Sequence, residues 1–183
     1  MDRLAEVCVH GRFQPFHNGH LDYVRQAFER SHLVQIGLTQ IFRPRNTSGD
    51  QDHRNTAESN PLTYFDRVRL ITAALNGVEI GASRFSFTPF PIETPDKLTE
   101  FVPLNVPCYT THFNEWNERK IALLKEIGYS VALLRVSKPD SIRVATGSEI
   151  RKMIRAKDDR WRGFVPPEVA RLIEDELMTN FCV

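Results

Sequence analysis

A chain of 183 residues has room for a single α/β domain with a sizeable core, and it shows no internal repeat or low-complexity tract. With 24 Lys and Arg against 23 Asp and Glu the formal net charge is +1, so no global positive field exists to hold a nucleic acid or an anionic membrane, and any anion must be gripped locally. The three cysteines, Cys8, Cys108 and Cys182, are odd in number and lack metal-ligand spacing, which disfavours a disulfide framework and a zinc site and fits a reducing cytoplasm. The N-terminal segment lacks the apolar region of a signal peptide, and no apolar run approaches membrane-spanning length.

Apolar runs of strand character alternate with segments of helical period, which predicts a doubly wound parallel sheet of about five strands. The first strand is Val7-Cys8-Val9-His10, ending at Gly11. Leu21, Val24, Ala27 and Phe28 then recur at helical spacing and predict a helix over 18–30. A second strand is expected over 33–41. The stretch 42–60 is polar and rich in breakers, longer than a usual connection, and reads as a mobile loop or a lid carrying Arg43, Arg45, His53 and Arg54. Thr63 and Asp66 have capping spacing ahead of a helix whose buried stripe is expected to be Phe65, Val68, Ile71, Ala74 and Leu75, with a stop at Asn76-Gly77. Strands follow at 85–90, 108–111 and 130–136, a helix at 114–127, and two closing helices at 148–156 and 167–178 within a C-terminal helical segment, 147–183.

Two segments carry the chemistry. Gly11-Arg12-Phe13-Gln14-Pro15-Phe16-His17-Asn18-Gly19-His20 leaves a strand and opens a helix, the context in which free backbone N–H groups and a partial positive charge meet an anion. Gly11 and Gly19 permit close approach to a ligand. His17 and His20, three residues apart, can project to one side and donate to neighbouring phosphate oxygens. Capping or core packing is the plainer role for either imidazole alone. Thr146-Gly147-Ser148-Glu149-Ile150-Arg151 also opens a helix. Thr146 and Glu149 have the spacing of a capping box, while Gly147, Ser148 and Arg151 suit a second phosphate nest.

GRFQPFHNGH resembles the signature of the archaeal-type nicotinamide mononucleotide adenylyltransferases within the HxGH nucleotidyltransferase superfamily, and TGSEIR resembles that superfamily's C-terminal phosphate motif. The resemblance implies a Rossmann-like fold and a reaction in which an acceptor phosphate displaces pyrophosphate from a nucleoside triphosphate. It places His17, His20 and Arg151 on the triphosphate, Gly11, Arg12, Phe13 and Gln14 beside the nucleotide, and Mg²⁺ on the phosphates with no ligand from protein side chains. It also makes a homo-oligomer plausible.

The acceptor half departs from that family. Where the family has an acidic residue, an Asn and a stacking Trp after the third strand, this chain has Glu93, with Pro95 and Leu98 at the other two positions. Glu93 and Arg54 are the candidate acceptor residues, and Phe101 or Trp116 could supply a stacking face, although each is more simply a helix residue packed inward. ATP with nicotinamide mononucleotide, giving NAD, is the favoured pair. The alternatives are a CTP-dependent cytidylyltransferase acting on a phosphonate or other phosphorylated metabolite, since the phosphate motifs ignore the base, and a non-catalytic nucleotide sensor.

Overall fold

The computed structural model describes residues 3–42, 56–111, 115–134 and 145–182. Five parallel strands form one sheet in the order β3-β2-β1-β4-β5, with β1 at Leu4–Gly11, β2 at Ser31–Leu38, β3 at Phe85–Pro89, β4 at Cys108–Thr110 and β5 at Val131–Leu133. The doubly wound, Rossmann-like expectation holds. β1 is central and buried from Val7 to His10, which is why its sequence reads as an apolar run rather than an alternation. From β1 the chain fills one side of the sheet with β2 and β3, then crosses to β4 and β5. The C-terminal end of β1 is therefore the switch point at which open sheets of this kind bind ligands.

The second strand is shorter than expected. Thr39 still donates its N–H to the carbonyl of Gly11 at 3.0 Å, but Gln40 lies at φ 52°, and this left-handed turn ends the extended run. Gly37 in β2 meets Phe90 closely, since a Cβ there would lie 2.7 Å from the Phe90 ring.

The chain divides into two compact units. The first comprises Met1–Arg12, Asp22–Gln40 and Gly81–Lys138 and holds the sheet. Its core gathers Cys8, Phe90, Ile92, Leu98, Val102, Val106, Cys108, Leu124 and Tyr129. Helix α1, Asn18–Arg30, matches its expected bounds and contributes Tyr23, Val24, Ala27 and Phe28 to the interior.

The second unit comprises Phe13–Leu21, Ile41–Ile80 and Pro139–Val183. In it α2, Tyr64–Asn76, starts at Thr63 with the expected capping box to Asp66. Its buried stripe differs from expectation, because Phe65 is 67% exposed and Leu70 takes the inward place. Phe65 follows Tyr64 at the first turn, and its ring instead packs beside the guanidinium of Arg69. Helix α3, Glu115–Ile127, belongs to the first unit, and α4, Gly147–Arg155, and α5, Pro167–Leu172, to the second.

The expected closing helix is not continuous. A π turn at Ile173–Leu177 and a 3₁₀ turn at Met178–Phe181 follow α5. Val169, Ile173, Leu177 and Phe181 are all buried. A spacing of four would drift about 40° per step around an α-helix of 3.6 residues per turn, and a widened turn keeps the row facing inward. No helix among the described residues is long and apolar enough to cross a membrane.

Candidate functional site

The loop that leaves β1 is shaped by strain and packing together. Phe13 sits at φ 52°, a conformation a bulky residue adopts at a cost of roughly 1–3 kcal/mol, and its side chain is buried with that of Phe16. The reversal at Phe13 sets up the entry to α1. His17 then acts as the N-cap. Its Nδ1 accepts the N–H of His20 at 3.3 Å, while its carbonyl accepts the N–H groups of His20 and Leu21. A neutral imidazole that accepts at Nδ1 carries its proton on Nε2, so the cap fixes the tautomer that can donate outward.

The two imidazoles are stacked, with centroids 3.5 Å apart and planes 24° from parallel. Phe13 meets the His20 ring edge-on at 4.9 Å. His17 is 9% exposed, and burial pushes its pKa from the ordinary 6.5 down to about 4. The expected pair is thus brought together, with Gly19 between them in the first helical turn and Arg12 half-buried just before the loop.

The second motif converges on the first within the same unit. Thr146 caps α4 in a complete box with Glu149, which accounts for both residues without a ligand. A Cβ on Gly147 would lie 2.9 Å from the Gln14 carbonyl oxygen, so only glycine permits this approach. Arg151, 4% exposed, donates from Nη1 to that same carbonyl at 2.6 Å and from Nη2 to the Ser148 hydroxyl at 3.1 Å. It therefore clamps the β1–α1 loop onto α4 instead of only reaching outward.

The Gln14 side chain, expected beside the nucleotide, has a structural task. Its Nε2 donates to the Leu62 carbonyl at 2.9 Å and its Oε1 accepts the Leu62 N–H at 3.0 Å. Gln14 so joins the loop to the residue preceding the Thr63 cap of α2.

The acceptor candidates lie in the first unit, where described. Glu93 is exposed and accepts from Gln40 Nε2 at 2.9 Å. Leu98 lies fully inside the core of that unit. Phe101 is not packed inward, being 38% exposed at the end of the 3₁₀ segment Pro95–Glu100. Arg43, Arg45, His53, Arg54 and the side chain of Trp116 lie outside the described residues. Sequence reasoning missed Gln40, Leu62 and Tyr23, whose hydroxyl accepts the His10 N–H at 3.2 Å and donates to the Tyr109 carbonyl at 2.5 Å. It also missed a ligand-capable cluster: one atom each of Cys8, His10 and Cys108 lie within 4.8 Å of one another. No spacing along the chain signals this cluster, because Cys108 arrives from a different strand, in register opposite Cys8.

Comparison with known proteins agrees with this geometry. The model of the cytidylyltransferase-like family matches residues 8–89. The chain is 31% identical to a phosphonoformate cytidylyltransferase of Streptomyces viridochromogenes over 170 residues, covering 91% of this chain and 89% of the relative. It is 28% identical to nicotinamide-nucleotide adenylyltransferase 1 of Sulfolobus acidocaldarius, covering 90% and 86%. In fold it is similar to a bifunctional NMN adenylyltransferase/ADP ribose pyrophosphatase from Francisella tularensis, solved with AMP and a manganese ion, at a TM-score of 0.67 and 15% identity. That match covers 98% of this chain and 52% of the bifunctional protein, so the chain spans about half its length.

Two outcomes follow from the buried contacts. The unfolded chain protonates His17 near the ordinary value of 6.5, and the folded one only near 4. Stability is therefore fully present above pH 6.5 and falls as pH drops from 6.5 to 4, by about 3 kcal/mol in all. Urea denaturation of the wild type and His17→Gln at pH 7 and pH 4.5 should show a smaller acid loss in the variant, whereas parallel losses would put the proton uptake elsewhere. Gln14→Met leaves both backbone groups of Leu62 without their partner and should destabilise by about 2–4 kcal/mol. A loss below about 1 kcal/mol would mean that Leu62 is satisfied by other means.

Proposed function

Because the chain belongs to the cytidylyltransferase-like family and is a nucleotidyltransferase, we propose that it transfers the nucleoside monophosphate of CTP to a small phosphonate or phosphorylated acceptor and releases pyrophosphate. One observation carries the choice of a small acceptor. At the position where the archaeal-type adenylyltransferases present a stacking tryptophan, this chain has Leu98, committed to the core, which supports a pocket without an aromatic slot for a nicotinamide ring. The likeness to a phosphonoformate cytidylyltransferase over nearly the whole chain supports CTP. The second reading, ATP with nicotinamide mononucleotide giving NAD, is favoured by the adenylyltransferase relatives and by the presence of Glu93.

In this reading an acceptor oxygen attacks the α-phosphorus in line, the new P–O bond forms, and the bond to the bridging oxygen of the leaving pyrophosphate breaks. A phosphate monoester, with a second pKa near 6, is mostly doubly ionised at about pH 7, and a phosphonate carries at least one anionic oxygen there, so the acceptor needs no general base. His17, donating from Nε2, and His20 give hydrogen bonds to oxygens of the pyrophosphate on which charge grows. Arg151 holds the two motifs together, and with five N–H donors its guanidinium can hold both the loop and a phosphate oxygen. The one group of three metal-capable side chains among the described residues is Cys8, His10 and Cys108, donors unsuited to Mg²⁺. Magnesium would accordingly be carried by the triphosphate oxygens, where it supplies charge neutralisation.

A pyrophosphate-release assay decides between the readings. CTP and ATP are each supplied with Mg²⁺ and phosphonoformate, simple alkyl phosphonates, nicotinamide mononucleotide or nicotinate mononucleotide. Turnover is expected with CTP and a small phosphonate. Turnover confined to ATP with a pyridine mononucleotide would overturn the proposal in favour of the second reading. His20→Ala should lower kcat on the order of 10²-fold while the nucleotide Kd changes only a few-fold, because the charge it meets develops at the transition state. A loss in nucleotide affinity as large as the loss in kcat would remove His20 from that role.

A further inference from the structure

We propose that Cys8, His10 and Cys108 form a buried three-ligand site for a soft monovalent cation, Cu⁺. Cys8 and Cys108 face each other in register on the paired strands β1 and β4. His10, two residues along β1, shares the face of Cys8. All three side chains are buried, and one potential ligand atom from each lies within 4.8 Å of the others.

Thiols in a core are often small apolar fillers, and filling alone would explain the two cysteines. It does not explain the imidazole. His10 is 4% exposed, and neither of its ring nitrogens has a hydrogen-bond partner among the described residues. Its ring is held flat against Phe90, centroids 4.1 Å apart and planes 5° from parallel. Phe90 is itself fixed by the close approach of Gly37. An imidazole in its neutral form has one nitrogen lone pair to give a metal.

Coordination number and softness select the ion. Zinc held by two cysteines and a histidine keeps a fourth position open to water, whereas the three side chains here are at most 4% exposed. Soft thiolates favour Cu⁺. Each thiol must release its proton, so binding one Cu⁺ forms two Cu–S bonds and delivers two protons to the buffer. The ion reaches the core through local opening of the fold.

The test uses the full chain carrying Cys182→Ser, which removes the one exposed cysteine. Under anaerobic conditions this protein is titrated into Cu⁺ held as its coloured bicinchoninate complex. One equivalent should transfer to the protein. X-ray absorption of the product should show a shell of two sulfurs and one nitrogen, a readout that needs no further variant. Cys8→Ala and Cys108→Ala, checked for folding by circular dichroism, should each weaken transfer at least 100-fold. No transfer to a protein whose two thiols titrate as reduced after unfolding overturns the proposal. So does a shell without sulfur, or transfer undiminished in the folded Cys108→Ala protein. Turnover is not measured in any arm, so the result stands apart from the choice of acceptor.

Discussion

Gln14 joins three stretches of chain that lie far apart in sequence. Its carbonyl receives Arg151 from α4, its side-chain amide pairs with both backbone groups of Leu62 ahead of α2, and its own position is set by the left-handed turn at Phe13. A buried amide with both ends satisfied costs the fold little, whereas removing either partner leaves a polar group stranded. The stacked imidazoles at the start of α1 follow this joint within the same loop, which the buried rings of Phe13 and Phe16 also hold. Gly147 belongs to the same constraint, since a larger residue would push α4 off the carbonyl that Arg151 holds.

The result is that the stacked imidazoles, the Gln14 carbonyl and Arg151 are held in place by the chain's own contacts. Preorganised donors aimed at developing charge are what phosphoryl and nucleotidyl transfer require, since the protein supplies position and charge, not a covalent intermediate. His17 illustrates how economically this is done. One hydrogen bond caps a helix and fixes which nitrogen carries the proton, and burial keeps the ring neutral. The segment after β3 is built differently. There Glu93 is exposed and steadied by Gln40, and Leu98 faces the core of the sheet unit.

Much of this was legible in the sequence because it is written locally. The bounds of α1 and the Thr63 and Thr146 capping boxes all depend on residues within a few positions of each other. What escaped depends on tertiary neighbours. Helical period alone put Phe65 inside, but it could not tell which of two adjacent apolar positions faces the interior at a first turn. The row Val169, Ile173, Leu177 and Phe181 looked like an ordinary helix because its spacing is close to 3.6, and only the widened turn reveals that the fit was imperfect. The pairing of Gln14 with Leu62 escaped because Leu62 has no polar side chain to announce it. The cluster of Cys8, His10 and Cys108 was invisible to any spacing rule, since strand pairing creates it.

Tyr23 gives the gap between β1 and β4 a property that backbone pairing could not. The two strands share only two register pairs, Cys8 with Cys108 and Val9 with Tyr109. Beyond them a phenol bridges the separating backbones, taking the amide of His10 and giving to the carbonyl of Tyr109. The junction of the two strands is thus completed by a side chain, and a side chain can be exchanged. Descendants of this chain could loosen or dry that junction by a single replacement at position 23, with no change in the sequence of either strand.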